Sequence, residues 1–412
     1  MLWMRLAFRN TQRHLRRTML TAGTVLVATA LLTVVLAYLA GVFGDIMKDF
    51  TAAAGHVRIV TQAFADREEV HPLHENIANV DKVLQAVRAT PGVVDASPRI
   101  TTGVTITANE EIGDEFAIVT GATETYYRDH LRGSDHLVAG AWLSGKPKEV
   151  VVGRRIAERL GAELGSEILM LGQTQYDSMS PVTAKLVGVV GGNASLDEQV
   201  FLPLSEVQWL TDMPGGALEI LVYGAGREPR QLRPVVEALR ARPELADTET
   251  KAWYQREPWL SMMGIMDGIQ GFIEFFIVFL AALAIFNTMS MSVLERTGEI
   301  GVMRAMGLTR LRALGLFLVE SILIGLLGSI VGVALGSVGA FYLETYGITL
   351  GEDLVAKMGS SFPMKATVYA DLSPGIVATV VLLGVAASVA GALLPALRAS
   401  SIQPVLAMRA RR

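Results

Sequence analysis

Apolar positions along this chain follow two rhythms. In four stretches they succeed one another almost without interruption. Residues 20–43 (LTAGTVLVATALLTVVLAYLAGVF) hold no charged side chain over 24 positions, long enough as a helix to cross a hydrocarbon core of about 30 Å. Residues 272–294 carry one acid, residues 313–343 form a longer run, and residues 372–397 form a fourth that ends in LPAL. Between the first two runs the apolar positions come in short bursts instead: HVRIV, GVTIT, EFAIVTG, EVVVG, SEILML, KLVGVVG and LEILVYG read as strands, with helical patterns between them. The pattern predicts an α-helical membrane protein with four transmembrane helices and a large α+β domain, residues 44–271, inserted between helices 1 and 2.

Composition and charge orient that layout. The chain has 412 residues, of which 51% are hydrophobic and 18% charged, against about 25% charged in soluble domains. Residues 1–19, a basic amphipathic segment, carry Arg5, Arg9, Arg13, Arg16 and Arg17 and no acid. The link 295–312 holds Arg296, Arg304, Arg310 and Arg312 against Glu295 and Glu299, and the tail 398–412 adds Arg398, Arg409, Arg411 and Arg412. Basic flanks stay on the cytoplasmic side. Both termini and the middle link are therefore expected in the cytoplasm, with 44–271 and a smaller link, 344–371, outside. The first run is longer than a signal-peptide core and no small-x-small cleavage site follows it, so it reads as an uncleaved anchor. A net charge of −4 offers no basic excess for nucleic acid, and the lack of cysteine excludes disulfides, thiolate metal sites and Cys nucleophiles.

Within 44–271, residues 83–95 (VLQAVRATPGVVD) match residues 235–247 (VVEALRARPELAD) at Ala, Arg, Ala, Pro and Asp. Each copy reads as a helix stopped by Pro and followed by a strand, an internal repeat about one sheet. Catalytic chemistry is not predicted. Pro72 interrupts the HPLHE segment at His71, His74 and Glu75, and no HExxH accompanies it. The glycines of VGVVGGN (187–193) lack a GxxxxGK[ST] context, and Gly145-Lys146 runs into Pro147. In the third run Gly328, Gly332 and Gly336 recur every four residues and define a face for close helix packing. Glu320, an intramembrane acid, needs a polar partner, for which Asn287 or Ser321 is expected. Glu274 lies at the outer end of its run, within reach of headgroups.

The most informative stretch is residues 291–312 (MSVLERTGEIGVMRAMGLTRLR). It predicts a short helix with an apolar ridge of Ile300, Met303 and Ala305, flanked by Glu295, Arg296, Glu299 and Arg304. Gly307 ends this helix and Thr309 caps the next. The ERTGEIGVMRAMG motif, followed by ESILIGLLGSIVGVALG, resembles the FtsX-like, or MacB-like, permeases of ABC transporters. The resemblance runs over nearly the whole chain, down to the LPALRASSIQPVLAMR tail. It implies a MacB-like periplasmic core in 44–271, a bacterial inner (plasma) membrane location, and a homodimer or heterodimer with a second permease. It further implies two copies of a separate ATPase, which would bind ATP and Mg, so that this chain is no enzyme and carries no cofactor or metal of its own. Residues 295–307 would be the coupling helix seated on that ATPase; Gly298 stands where many relatives have Arg or Lys. AGHVRIV, PGVVDASPRI and DEQVFLPL resemble the lipoprotein-releasing Lol permeases, whereas the coupling segment resembles MacB-type efflux permeases. Membrane lipids and a lipoprotein, or another periplasmic cargo, are the partners this implies, with control of a cell wall hydrolase a further possibility.

Overall fold

The structure is a computed structural model, and it describes residues 15–108, 113–192, 194–257, 259–349 and 367–401. Helix α1 (Leu15–Ala54) leads into a mixed segment: β1 (Val57–Thr61), α2 (Gln62–Asp66), α3 (Val80–Arg88), β2 (Val93–Thr107), β3 (Glu115–Ala122) and β4 (Leu137–Gly140). Then come β5 (Glu149–Gly153), α4 (Arg154–Leu160), β6 (Glu167–Gln173), β7 (Met179–Val190), α5 (Ala194–Asp197), β8 (Gln199–Pro203) and α6 (Leu204–Leu210). The segment closes with β9 (Glu219–Gly224), α7 (Pro229–Arg240) and β10 (Thr248–Ala252). After it run α8 (Trp259–Glu295), α9 (Thr297–Ala305), α10 (Arg310–Tyr346), the paired β11 (Ile348–Thr349) and β12 (Thr367–Val368), and α11 (Pro374–Ser401). By contacts the described chain divides into a helical unit, residues 15–44, 264–349 and 367–401, and an outer unit, residues 45–263.

In the outer unit, β1-α3-β2 and β9-α7-β10 share one antiparallel layer in the order β10-β1-β9-β2. That order, with two crossover helices, is the ferredoxin-like split βαβ arrangement. The repeated sequence falls on equivalent parts of its two halves. Both helices present an amphipathic face: Val80, Leu84 and Val87 are buried on α3, and Leu232, Val235, Val236 and Leu239 on α7. Arg88 and Arg240, equivalent in the repeat, each donate from the last helical turn to a carbonyl of the following strand, Ala96 at 2.7 Å and Thr250 at 2.6 Å. Arg242 crosses to the other half and donates to Thr90 and Ala89.

The remaining strands add a second piece. β2 pairs with β3, β3 runs parallel to β8, β8 pairs with β5, β5 runs parallel to β7, and β6 closes the circuit by pairing with both β7 and β2. Six strands thus form a ring. Val207 and Leu210 of α6, both fully buried, lie over Gly121 and Gly172 of its wall.

Each apolar run becomes a helix longer than the run. Helix α1 continues past residue 43 to Ala54, and α8 begins at Trp259, so the ends of 44–271 as read from hydropathy lie inside helices. All four long helices have the length and composition to cross a membrane. In the helical unit Gly328, Gly332 and Gly336 of α10 lie against α1. A Cβ on Gly336 would stand 2.6 Å from the Ala30 carbonyl and one on Gly328 2.9 Å from that of Ala22; one on Gly332 would collide with Thr29 Oγ1 and the Leu26 carbonyl. Gly391 of α11 makes the same kind of approach to Ala282 of α8. The first fourteen residues, residues 350–366 of the outer link and the tail from residue 402 lie outside the described residues.

Candidate functional site

Among the described residues the helical unit carries one short helix between long ones, and local chemistry explains its limits. Helix α8 ends at Glu295; Arg296, at φ −98° and ψ 10°, leaves the helical register, and Thr297 Oγ1 donates back to the Val293 carbonyl at 3.0 Å. Helix α9 stops at a Schellman motif: Gly307 has φ +101°, its N–H donates to the Arg304 carbonyl, and the Leu308 N–H donates to that of Met303, each at 3.1 Å. Thr309 then caps α10 by accepting from the Arg312 N–H at 3.4 Å.

One face of α9 is fastened to the long helices. Ile300 is 1% exposed and packs with Ile285, Met289 and Val293 of α8, Phe317 of α10 and Ala396 of α11; Met303 is partly buried against the same cluster. The apolar ridge expected to be presented as a unit is therefore divided: Ile300 and Met303 turn inward, while Ala305 is exposed. The Arg296 guanidinium lies 3.5 Å from Glu320 Oε2, with the two side chains 10% and 7% exposed. Glu320 thus takes an ion pair from Arg296, just past the end of α8, a partner that was not among the expected Asn287 and Ser321; pairing offsets the cost of burying either charge alone. Arg304 donates from Nη1 to the Ser400 carbonyl at 2.8 Å, near the end of α11.

The opposite face is open. Glu299, Val302 and Met306 are exposed at spacings of three and four, hence on one helical stripe, with Ala305 and Gly307 beside it, and Glu295, the last residue of α8, is exposed as well. Val302 is 45% and Met306 76% exposed, and Leu311, with Arg310 and Arg312 at its sides, is 80% exposed.

The outer unit holds a second constellation, which hydropathy did not single out. Arg58 and Glu68 form a two-pronged ion pair, Nη1 to Oε1 at 2.6 Å and Nη2 to Oε2 at 2.7 Å. Arg99 and Glu219 are register partners on β2 and β9, with Nε to Oε1 at 2.8 Å. Arg99 Nη1 also donates to the Ala53 carbonyl at 2.5 Å; Tyr126 donates to the same carbonyl at 2.7 Å, and Tyr223 to that of Ala52 at 2.9 Å. These carbonyls are the orphan acceptors at the end of α1. Burial opposes charge on Glu219, but Arg99 and Arg58 beside it hold its carboxyl down to about 2. The available signal was a charge inside an apolar strand: Arg58 within HVRIV, Arg99 within SPRIT and Glu219 within ALEIL. His71 and His74 make separate local contacts: His71 Nε2 lies 2.7 Å from the Thr101 carbonyl, and His74 stands 3.6 Å from Glu75.

Four long apolar helices, with a large α/β unit inserted after the first, define a multi-pass membrane protein. Residues 271–404 match the FtsX-like permease C-terminal family, and residues 18–242, more than half of the chain, match the MacB-like periplasmic core domain. The chain belongs to this family of MacB/FtsX-type permeases, which serve in ABC transporters. Comparison with curated proteins found no match. Among solved structures, the extracellular domain of the noncanonic ABC-type transporter YknZ from Gram-positive bacteria is 12% identical at a TM-score of 0.34, over 47% of this chain and 98% of that one. The periplasmic region of MacB from Actinobacillus actinomycetemcomitans is 13% identical at 0.36, over 54% and 98%. A domain of a permease protein from Porphyromonas gingivalis is 15% identical at 0.30, over 52% and 98%.

Proposed function

We propose that this chain is the permease subunit of an inner-membrane ABC transporter complex, and that it carries displacement from a separate ATPase to the outer unit. The observation that supports this reading is the two-faced character of α9. Its inner face is fixed to α8, α10 and α11 through Ile300, Arg296–Glu320 and Arg304–Ser400, so a push on the outer face moves long helices rather than a loop. The open stripe of Glu299, Val302 and Met306 offers a partner apolar contact edged with a carboxylate. In this reading two ATPase copies dock on two permeases, ATP and Mg belong to the ATPase, and both termini face the cytoplasm.

For cargo we infer an acylated protein released from the membrane. At about 0.8 kcal/mol per buried CH₂, an acyl chain of roughly fourteen methylenes is held by about 11 kcal/mol, so release requires external energy. The crevice lined by Val25, Thr29, Leu32, Ile277, Ala281 and Leu383 has a volume of about 10 Å³, room for roughly one water. To admit an acyl chain α1 and α8 must part, which is the work assigned to the ATPase. Export of a soluble peptide or drug, or control of a cell wall hydrolase, would use the same push without that parting.

Glu299→Lys combined with Met306→Asp, both on exposed positions, is expected to abolish copurification of the ATPase and transport while leaving the thermal unfolding midpoint unchanged. Retained ATPase binding in that variant would remove the docking assignment. Mass spectrometry of material bound to the purified complex distinguishes the cargoes: a lipidated peptide supports release, whereas an adaptor joined to an outer-membrane channel supports efflux.

A further inference from the structure

Three guanidinium groups and two carboxylates are gathered inside the outer unit: Arg58, Arg99 and Arg256 with Glu68 and Glu219. Their pairing is unequal. Arg58 satisfies both oxygens of Glu68, and Arg99 takes Glu219 Oε1 together with the Ala53 carbonyl. Arg256 has neither. Its Nε and Nη1 are buried and meet no acceptor among the described residues, and burial together with the neighbouring Arg58 lowers its pKa to about 10. Glu219 Oε2 receives no donor among the described residues. A buried cation with unused N–H groups is costly, so an arrangement that gives Arg256 an acceptor is favoured over this one by the hydrogen bond it gains.

Position gives this imbalance a meaning. Arg256 lies between β10 and α8, the connector that continues into the second long helix. Leu260 N–H donates to the Arg256 carbonyl at 2.9 Å, and the Trp259 ring meets Phe50 of α1 with centroids 3.7 Å apart. The last turn of α1 is itself gripped by Arg99, Tyr126 and Tyr223. The last turn of α1 and the connector to α8 therefore meet at one set of charges in which Arg256 has no hydrogen-bond acceptor among the described residues.

We propose that Arg256 is a positioning residue for the coupled motion, and that the outer unit has a second state in which Arg256 donates to Glu219 Oε2. Glu219 is then shared between Arg99, which holds α1, and Arg256, which travels with the connector to α8. Displacement of that connector changes the grip on the last turn of α1, so the two helices are driven together rather than separately. Groups fixed by packing favour discrete arrangements of this kind over continuous deformation. The inference deepens the permease reading and rests on it for the source of the push, but the two states belong to this chain alone.

The test uses the full chain in lipid nanodiscs without any ATPase. The absence of cysteine makes labels at Lys48→Cys and Leu260→Cys unique. Double electron–electron resonance is expected to give two distance populations for the chain with Arg256 and for Arg256→Lys. In Arg256→Met one population is expected, with a thermal unfolding midpoint unchanged or raised, because the unpaired buried charge is gone. A merely structural cation would lower the midpoint in Arg256→Met and leave the distances alone. That result, a single population in the chain with Arg256, or two populations in Arg256→Met, overturns the proposal. Loss of ATPase docking in the α9 variant leaves these outcomes unaffected, so the two readings fail separately.

Discussion

Glu219 shows how one side chain's setting becomes a property of the fold. Burial raises its pKa, yet Arg99 and Arg58 hold it at about 2, below the ordinary 4.5. A depressed carboxylate contributes stability that is present above its unfolded pKa and lost as pH falls toward the folded one. The outer unit is therefore expected to lose about 3 kcal/mol between pH 4.5 and 2, at 1.36 kcal/mol per pKa unit. Unfolding followed by intrinsic fluorescence should show that slope flattened in Glu219→Gln. His56 adds an earlier step: burial and then Arg227 lower its pKa to about 4, while the Gly224 N–H donates to its Nδ1. It is neutral when folded, so its contribution is complete above pH 6.5 and declines as pH falls toward 4. The need of Glu320 for a partner was legible from its place in an apolar run, but the identity of that partner was not. Arg296 reaches it only because the helix breaks after Glu295, a local geometry that spacing along one helix does not encode.

At the scale of elements, seven strands announced themselves by alternating or continuous apolar residues, since each buries a face, whereas LVAG of β4 and QVFLP of β8, short runs beside turns, were not read as strands. The segment TETKA did not announce itself either: β10 is an edge strand that pairs only with β1 among the described residues, and it is mostly polar. The long helices were legible in their apolar middles and not at their ends. Hydropathy measures what lipid requires, whereas α1 continues through the amphipathic GDIMKDFTAAA and α8 begins in the glycine-containing WLSMMGIMDGIQG. Two substitutions test the helix arguments. Gly332→Leu has to separate α10 from the Leu26 backbone of α1, and is expected to lower the unfolding midpoint of the full chain in detergent by more than Gly298→Leu, whose Cβ meets nothing within 4 Å. Gly307→Ala forces a side chain into φ +101° and should cost about 1 kcal/mol, read as earlier exchange of the Leu308 and Gly307 amides.

For the whole molecule, the distribution of arginine predicts which parts face the cytoplasm. Single cysteines introduced into the cysteine-free chain provide the check: Ala305→Cys should react with a membrane-impermeant maleimide only in inverted vesicles, and Val138→Cys only from the opposite side. The union of the two pieces of the outer unit was not visible in the sequence, because ring closure depends on strands far apart along the chain. Strand β2 is common to both pieces. Over its 15 residues it pairs with β9 from Val93 to Arg99, with β3 from Arg99 to Ile106, and with β6 from Val104 to Thr107. A single beam thus runs through two frames with no slack between them. Load applied midway along it, where Arg99 clasps the end of α1 and the pairing with β9 gives way to that with β3, reaches both frames through one continuous strand.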